Sequence, residues 1–146
     1  MAATTVVLAE KDKIQLAYEE VRDRNSEIRW MVLDCHEGTI SLESTGFNYN
    51  KFYEKFKEDV CLFAYVKLEY EHDGIRKWKC VLISWVGKYV KIEHKDRVRK
   101  ENETVKVKEI IKEYTCELFL YEEMRLTEIK TREAIRKSGY NDRWEK

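Results

Sequence analysis

Histidine and cysteine are the residues of this sequence best suited to hold a metal ion or to act in catalysis, and their spacing argues against both roles. His36, His72 and His94 have no partner at the spacing of a helical ligand pair or of a C-x-x-C motif. Cys35 and His36 are adjacent, so on a strand their side chains would point to opposite faces. No G-x-S-x-G, glycine-rich phosphate loop or H-E-x-x-H motif occurs. The sequence predicts no catalytic residue, no metal site and no cofactor.

Two pairs of adjacent glutamates are the remaining candidates for acid and base chemistry. Glu19 with Glu20 and Glu122 with Glu123 lie in segments that have helical periodicity and basic neighbours. Solvated helix faces have this pattern. The protein is therefore not expected to be an enzyme.

Positive charge is concentrated locally, although the 28 basic and 28 acidic residues of the whole chain cancel. Lys106 and Lys108 are predicted to lie in the first turns of a helix, where they oppose the helix dipole, so an external anionic partner explains them better than helix stability does. The alternative is that such charges only keep edges and turns soluble. The clusters are Arg76, Lys77 and Lys79 before an apolar strand, Arg97, Arg99 and Lys100 before a helix, and Lys106 and Lys108 within that helix.

Composition indicates one soluble domain. The chain has 146 residues, of which 43% are hydrophobic, and it has no apolar run long enough to span a membrane. Its four cysteines are far apart in strand-like segments, which favours buried thiols in a reducing cytoplasm over disulfides. Residues 1–10 lack the basic start of a signal peptide and are predicted to be a flexible tail. The domain is predicted at 11–139, followed by a C-terminal tail at 140–146.

Apolar spacing predicts four helices and at least five strands. The first helix is expected to have Asp12 as its N-cap, and Gly139 is expected to stop the last one. Glycine-bearing turns at 35–38 and 71–74 predict two hairpins, and residues 88–100 are expected to form an irregular basic segment. The helices are predicted at 11–25, 48–59, 102–114 and 122–138, and the strands at 28–34, 39–44, 60–70, 75–87 and 116–121.

The strands at 60–70 and 81–86 are apolar on both faces, so each face needs a covering layer. Four amphipathic helices supply two for each side. The predicted class is therefore α+β, an α/β sandwich whose central, mainly antiparallel sheet has five to six strands between helix pairs. The strand at 116–121 is expected at an edge.

The combined pattern resembles the coactosins, within the actin-depolymerising-factor homology (ADF/cofilin) superfamily. The resemblance runs from about Lys11 to Gly139 and rests on AYEEVRD, IRWMVLD, DVCLFAYVKLEY, KWKCVLISWVG and VKVKEIIKEY. It implies the ADF-homology fold, a mixed sheet between helix pairs, which agrees with the predicted sandwich. It also implies a non-catalytic protein that binds the sides of actin filaments and modulates actin dynamics, without strong severing.

The resemblance also carries over site residues. A lysine just before the LISWVG-type strand contacts the filament in this family, and Lys79 holds that position here. The basic segment that contacts actin in cofilin-like relatives corresponds to roughly Arg97 through Lys112. The expected actin-binding residues are Arg76, Lys77, Lys79, Arg97, Arg99, Lys100, Lys106, Lys108 and Lys112.

This chain departs from the coactosin pattern in two places. The loop after SWVG is longer and more basic, and the segment before the first helix is longer. No serine stands at the very N-terminus, so inhibition by phosphorylation there is not expected. The expected setting is the cytoplasm, at the actin cytoskeleton, with the protein as a monomer.

Two alternatives stay open at this point. One is a cofilin-like protein that binds actin monomers and severs or depolymerises filaments. The other is a module for acidic lipids, such as phosphoinositides, or for nucleic acid, because Trp78 and Tyr89 are interleaved with bases. Nucleic acid is the less expected of these partners, since the aromatics alternate with apolar residues as core positions do.

Overall fold

The computed structural model describes residues 6–90, 94–123 and 125–138, with all of their side chains except those of residues 72, 94–99, 122 and 123. Within this part of the chain there are four helices and six strands. The helices are α1 (Lys11–Arg22), α2 (Tyr49–Tyr53), α3 (His94–Ile110) and α4 (Glu128–Lys137). The strands are β1 (Val7–Leu8), β2 (Trp30–His36), β3 (Thr39–Gly46), β4 (Cys61–His72), β5 (Ile75–Gly87) and β6 (Cys116–Glu123).

The strands form a sheet in the order β1-β3-β2-β4-β5-β6. The three inner pairings, β3 with β2, β2 with β4 and β4 with β5, are antiparallel, while β1 with β3 and β5 with β6 are parallel. The predicted mainly antiparallel sheet of five to six strands is confirmed. So is the edge position of β6.

Two tight turns form the predicted hairpins. Glu37 and Gly38 join β2 to β3 with φ angles of 48° and 84°, and Asp73 and Gly74 join β4 to β5 with 52° and 80°. Two consecutive residues with positive φ produce a turn whose twist matches that of paired strands, and glycine adopts the second position without a steric penalty.

Two hydrophobic cores lie on opposite faces of the sheet. On one face, α1 and α3 pack on alternating residues that include Leu33, Phe63 and Leu82. On the other face, α2 and α4 cover residues that include Val32, Val81 and Trp85. The predicted sandwich with two helices on each side is confirmed, because β2, β4 and β5 are apolar at both their odd and their even positions.

The N-terminal region differs from the sequence prediction. Residues 7 and 8, assigned to a flexible tail, form β1 against β3, and Val6 is buried beside them. The α1 N-cap is Glu10 rather than Asp12. Residues 139–146, with the predicted stop at Gly139 and the C-terminal tail, lie outside the described part.

The prediction that residues 88–100 are irregular is wrong for residues 94–100, which belong to α3. α3 begins at His94 and not at residue 102, so Arg97, Arg99 and Lys100 lie within the helix and do not precede it. The last helix begins later than predicted, at Glu128, because β6 continues to Glu123. Glu122 and Glu123 are therefore strand residues.

Tyrosine and cysteine side chains that the fold keeps protonated make the free energy of unfolding sensitive to high pH. Burial raises the pKa of Cys35 and Tyr65, that of Tyr53 to about 12, and that of the Cys116 thiol from 9.0 to about 11. In the unfolded chain such groups lose their protons first, so their contribution is fully present below about pH 9 and is lost as the pH rises towards the folded values.

We expect the free energy of unfolding to fall by on the order of 2 kcal/mol between pH 9 and 11, after allowance for the solvent that reaches the partly exposed groups. Urea unfolding followed by tryptophan fluorescence measures this change. Cys116→Ala should make the fall shallower, since it removes one of the titrating groups. If the urea concentration at the unfolding midpoint stays constant as the pH rises above 9, the raised pKa values are contradicted.

Candidate binding surfaces

The β4–β5 hairpin carries the first predicted basic cluster. Arg76 lies on the exposed part of β5, where its Nε is 3.2 Å from Glu71 Oε2 and its Nη1 is 3.6 Å from Glu69 Oε1. The three side chains are largely exposed, and such surface pairs contribute little to stability. Arg76 and its neighbour Lys77 are therefore held near the hairpin surface without being buried in it.

Helix α4 fixes the stem of this hairpin. The Tyr70 hydroxyl donates to the Arg132 carbonyl oxygen at 2.7 Å, and Arg132 Nη1 donates to the Glu69 carbonyl oxygen at 3.0 Å. The guanidinium also lies 5.1 Å from the Tyr70 ring centre and bonds Glu128 at 2.7 Å. These contacts tie α4 to the stem of the hairpin.

We give the name hairpin surface to the exposed end of the hairpin together with α4, and define it by Arg76, Lys77, Arg132 and Arg136. Arg76 and Lys77 are consecutive on β5, so their side chains point to opposite sides of the sheet, and Lys77 lies on the side of α4. Arg136 belongs to it because its charge acts on Tyr70. The sequence prediction missed both α4 residues. In the sequence of the last helix the basic residues follow the acidic ones. That order was attributed only to the helix dipole, so the basic residues were not considered as binding residues.

Lys79 and Lys100 do not have the exposed ammonium groups that were expected of them. Lys79 is only 4% exposed, and it stands opposite Leu68 on the α2/α4 face of the sheet. Lys100 is 5% exposed, with its Nζ 3.2 Å from Cys61 Sγ and 4.1 Å from the Phe63 ring centre. In this conformation, neither residue presents its charge at the surface.

The C-terminal half of α3 and the outer part of β6 form a second surface. Lys106 pairs with Glu109 at 3.6 Å, Lys108 pairs with Glu117 at 2.9 Å, and Lys112 is exposed just beyond the helix. Exposed apolar side chains surround these lysines. We define the α3 surface by Lys106, Lys108, Lys112, Val105, Phe119 and Tyr121, of which the last three are 62%, 54% and 47% exposed.

The helix-dipole argument for Lys106 and Lys108 was wrong. It required both to lie in the first turns of a helix, whereas α3 begins at His94 and Lys108 is in its last turn. A lysine near a helix C-terminus is favoured by the dipole. The helix dipole therefore favours Lys108, and neither lysine needs an external anion to explain its position.

The nine predicted residues do not form a single patch. Lys79 belongs to the sheet face covered by α2 and α4, whereas Lys106 and Lys108 belong to α3 on the opposite face. The edge strand β6 lies between the two layers. Arg97 and Arg99 lie on α3, but their side chains are outside the described part of the structure.

A buried lysine escaped the sequence prediction. Lys67 is fully buried in β4, where its Nζ donates to the carbonyl oxygens of Asp23 at 2.7 Å and Ser26 at 3.1 Å, and lies 4.8 Å from the Trp78 ring centre. Burial lowers the pKa of Lys67. Lys67 therefore occupies one face of the Trp78 ring, which removes that face from the stacking that the nucleic-acid alternative needs.

The described residues were also considered for metal binding and membrane spanning, and they show neither feature. In the residues with described side chains, no group of three or more histidine, cysteine, aspartate or glutamate side chains could hold a metal ion. No described helix has both the length and the apolar character needed to cross a membrane.

Comparison with known proteins places the whole fold in context. A family described as "Cofilin/tropomyosin-type actin-binding protein" matches residues 7–136. The coactosin-like protein of Rattus norvegicus is 27% identical over 130 residues, which cover 89% of this chain and 90% of that protein. The human coactosin-like protein crystal structure superposes with a TM-score of 0.79 at 25% identity, over 91% of this chain and 99% of that one. Mouse coactosin, described as "an actin filament binding protein", gives a TM-score of 0.69 at 24% identity over 98% and 93% of the two chains.

Proposed function

The chain belongs to the cofilin/tropomyosin-type actin-binding protein family, and from that membership we propose that it binds the sides of actin filaments. The observation that carries the proposal is the match across residues 7–136, which runs from β1 to the last turn of α4. The resemblance to coactosins noted from the sequence is confirmed by the relatives and the solved structures. Mouse coactosin, with the same fold, binds filaments by its description.

The hairpin surface is the proposed principal contact. Its bases lie on two elements that hydrogen bonds hold together, with Lys77 and the two arginines of α4 on one side of the hairpin end and Arg76 on the other. The filament surface of actin is acidic, and complementary charge raises the association rate and fixes the docking register. Such contacts between exposed charges weaken as salt increases.

The α3 surface is the proposed second contact. Phe119 and Tyr121 supply apolar area on the edge strand, and the ammonium of Lys108 lies 5.9 Å from the Phe119 ring centre. Protein interfaces commonly have an aromatic centre with a polar rim. We include Arg97 and Arg99, which lie nearer the N-terminus of α3, in this proposed contact.

The outcome of binding is proposed to be filament modulation without strong severing, in the cytoplasm and by a monomer that has no catalytic role. The runner-up is a cofilin-like protein that severs. The two differ in what they do to filament length, since severing creates new ends and side binding does not.

One experiment tests the function and its outcome together. The full chain is expected to pellet with actin filaments in a saturable way at near-physiological salt, and to leave the filament length distribution seen by fluorescence microscopy unchanged. A cofilin is the positive control for severing. Absence of saturable pelleting would overturn the proposal of filament binding. Rapid shortening of the filaments would instead identify a cofilin-like protein that severs.

A further inference from the structure

Two thiols and an ammonium group meet at one end of the sheet, under α3. β2 and β4 are antiparallel, with Asp34 opposite Leu62 as the last matched pair. One residue further along, Cys35 follows Asp34 and Cys61 precedes Leu62, so the two cysteines face each other across the strands. Both point to the α1/α3 side, because side chains alternate along a strand.

Lys100 brings its positive charge to this pair of thiols. Its Nζ donates to Cys61 Sγ at 3.2 Å and lies 3.7 Å from Glu103 Oε1. Burial acts to lower the pKa of Lys100, but Cys35, Cys61 and Glu103 outweigh that effect and raise it, so the amine remains a cation. The ammonium group is thus within hydrogen-bond distance of the Cys61 sulfur, close enough to stabilise negative charge that develops there during a reaction.

We propose that Cys61 and Cys35 form a peroxide-sensitive dithiol pair, in which Lys100 activates Cys61 and Cys35 resolves the product as a disulfide. This goes beyond filament binding and does not depend on it. Cys61 is the attacking sulfur because the Lys100 ammonium contacts it directly. Cys35 remains a thiol, since burial raises its pKa.

The chemistry balances with a hydroperoxide as the oxidant. The Cys61 sulfur attacks one oxygen of hydrogen peroxide, an S–O bond forms, the O–O bond breaks, and the departing hydroxide takes the thiol proton and leaves as water. The Cys35 sulfur then attacks the Cys61 sulfenic acid, an S–S bond forms, the S–O bond breaks, and the oxygen leaves as a second water with the Cys35 proton. Two thiols lose two electrons in total, and one peroxide gains them.

The backbone geometry permits this bond. Directly opposite residues of antiparallel strands have Cα atoms about 4.5–5.5 Å apart, inside the roughly 4.4–6.8 Å range of disulfides. Cys61 is the first residue of β4, so its backbone can make the small adjustment that closure requires. The disulfide would remove the thiol that accepts from Lys100 and would tie β2 to β4 beneath α3.

The test is timed oxidation of the folded full chain by hydrogen peroxide, with alkylation under denaturing conditions and peptide mapping. We expect Cys35 and Cys61 to lose their alkylation together, faster than Cys80 and Cys116, with a mass decrease of two hydrogen atoms that dithiothreitol reverses. Cys116 is the matched control thiol, because burial alone acts on it. Equal oxidation of all four cysteines would overturn the proposal.

Variants separate the roles of the three residues. Lys100→Met should slow the oxidation of Cys61 roughly tenfold, whereas Lys100→Arg should retain most of the rate, because it keeps a cation near sulfur. Cys35→Ala should stop the reaction at a sulfenic acid that dimedone traps. Thermal unfolding checks that each variant is folded. Two products of the wild-type protein would also contradict the proposed disulfide. One is Cys61 that carries oxygen while Cys35 can still be alkylated, and the other is a covalent link between Cys61 and Lys100.

Discussion

Changing Arg76 and Lys77 together to glutamate is expected to weaken the binding of actin filaments by about 2 kcal/mol or more, roughly thirtyfold. Both side chains lie on the exposed part of β5, and reversal places like charges against an acidic partner. The fold should be unaffected, since neither residue is buried. Co-sedimentation at several salt concentrations measures the affinity, and the double variant should also lose much of the salt dependence.

The matched control reverses Lys11 and Lys13 to glutamate on α1. These lysines are exposed, and α1 follows β1, at the far edge of the sheet from β5 and β6. The two variants change net charge equally, so a loss confined to the hairpin pair identifies a local contact. If both variants lose affinity equally, the effect comes from the net charge of the protein and not from a local contact. Lys79→Ala is expected to weaken binding less than the hairpin pair does, because Lys79 is buried.

Trp85→Ala is expected to lower the free energy of unfolding by about 3–5 kcal/mol. Trp85 is fully buried, its Nε1 donates to the Lys57 carbonyl oxygen at 2.8 Å, and its ring meets that of Phe56 edge-on at 5.4 Å between centres. Truncation removes the ring, leaves a cavity between β5 and the segment after α2, and orphans a carbonyl oxygen.

The companion variant Trp85→Phe keeps most of the aromatic volume and loses the hydrogen bond. It should cost about 1–3 kcal/mol, as expected for one unsatisfied buried acceptor plus a smaller ring. Urea unfolding gives both values. A cost below about 1 kcal/mol for Trp85→Ala would contradict a central packing role for this ring.

The sheet could be predicted from the sequence because its signals are local. The turn dipeptides Glu37–Gly38 and Asp73–Gly74 mark both hairpins, and the unbroken apolar run of β5 shows that both its faces are covered. The start of α3 could not be predicted in this way. Residues 94–101 are almost all charged or polar, with Val98 the one apolar residue, so they show no helical periodicity.

The buried lysines show where reasoning from charge fails. Lys67, Lys79 and Lys100 were taken to be exposed or passed over, because lysine is rarely buried. Their burial depends on partners far away in the sequence, such as the Asp23 carbonyl for Lys67 and Cys61 for Lys100. Only the folded structure brings such partners together. For the same reason, the sequence could not show that the expected actin-binding bases lie on elements of two different layers.

The parallel pairing of β6 has a consequence for the order of assembly. β4 and β5 pair through a turn of two residues, whereas β6 reaches β5 only after the chain has crossed the sheet through α3. Contacts that close long loops form late and open early. The hairpin surface should therefore be partly built in the first folding steps, while the α3 surface appears with the last. Amide hydrogen exchange should be faster in β6 than in β4.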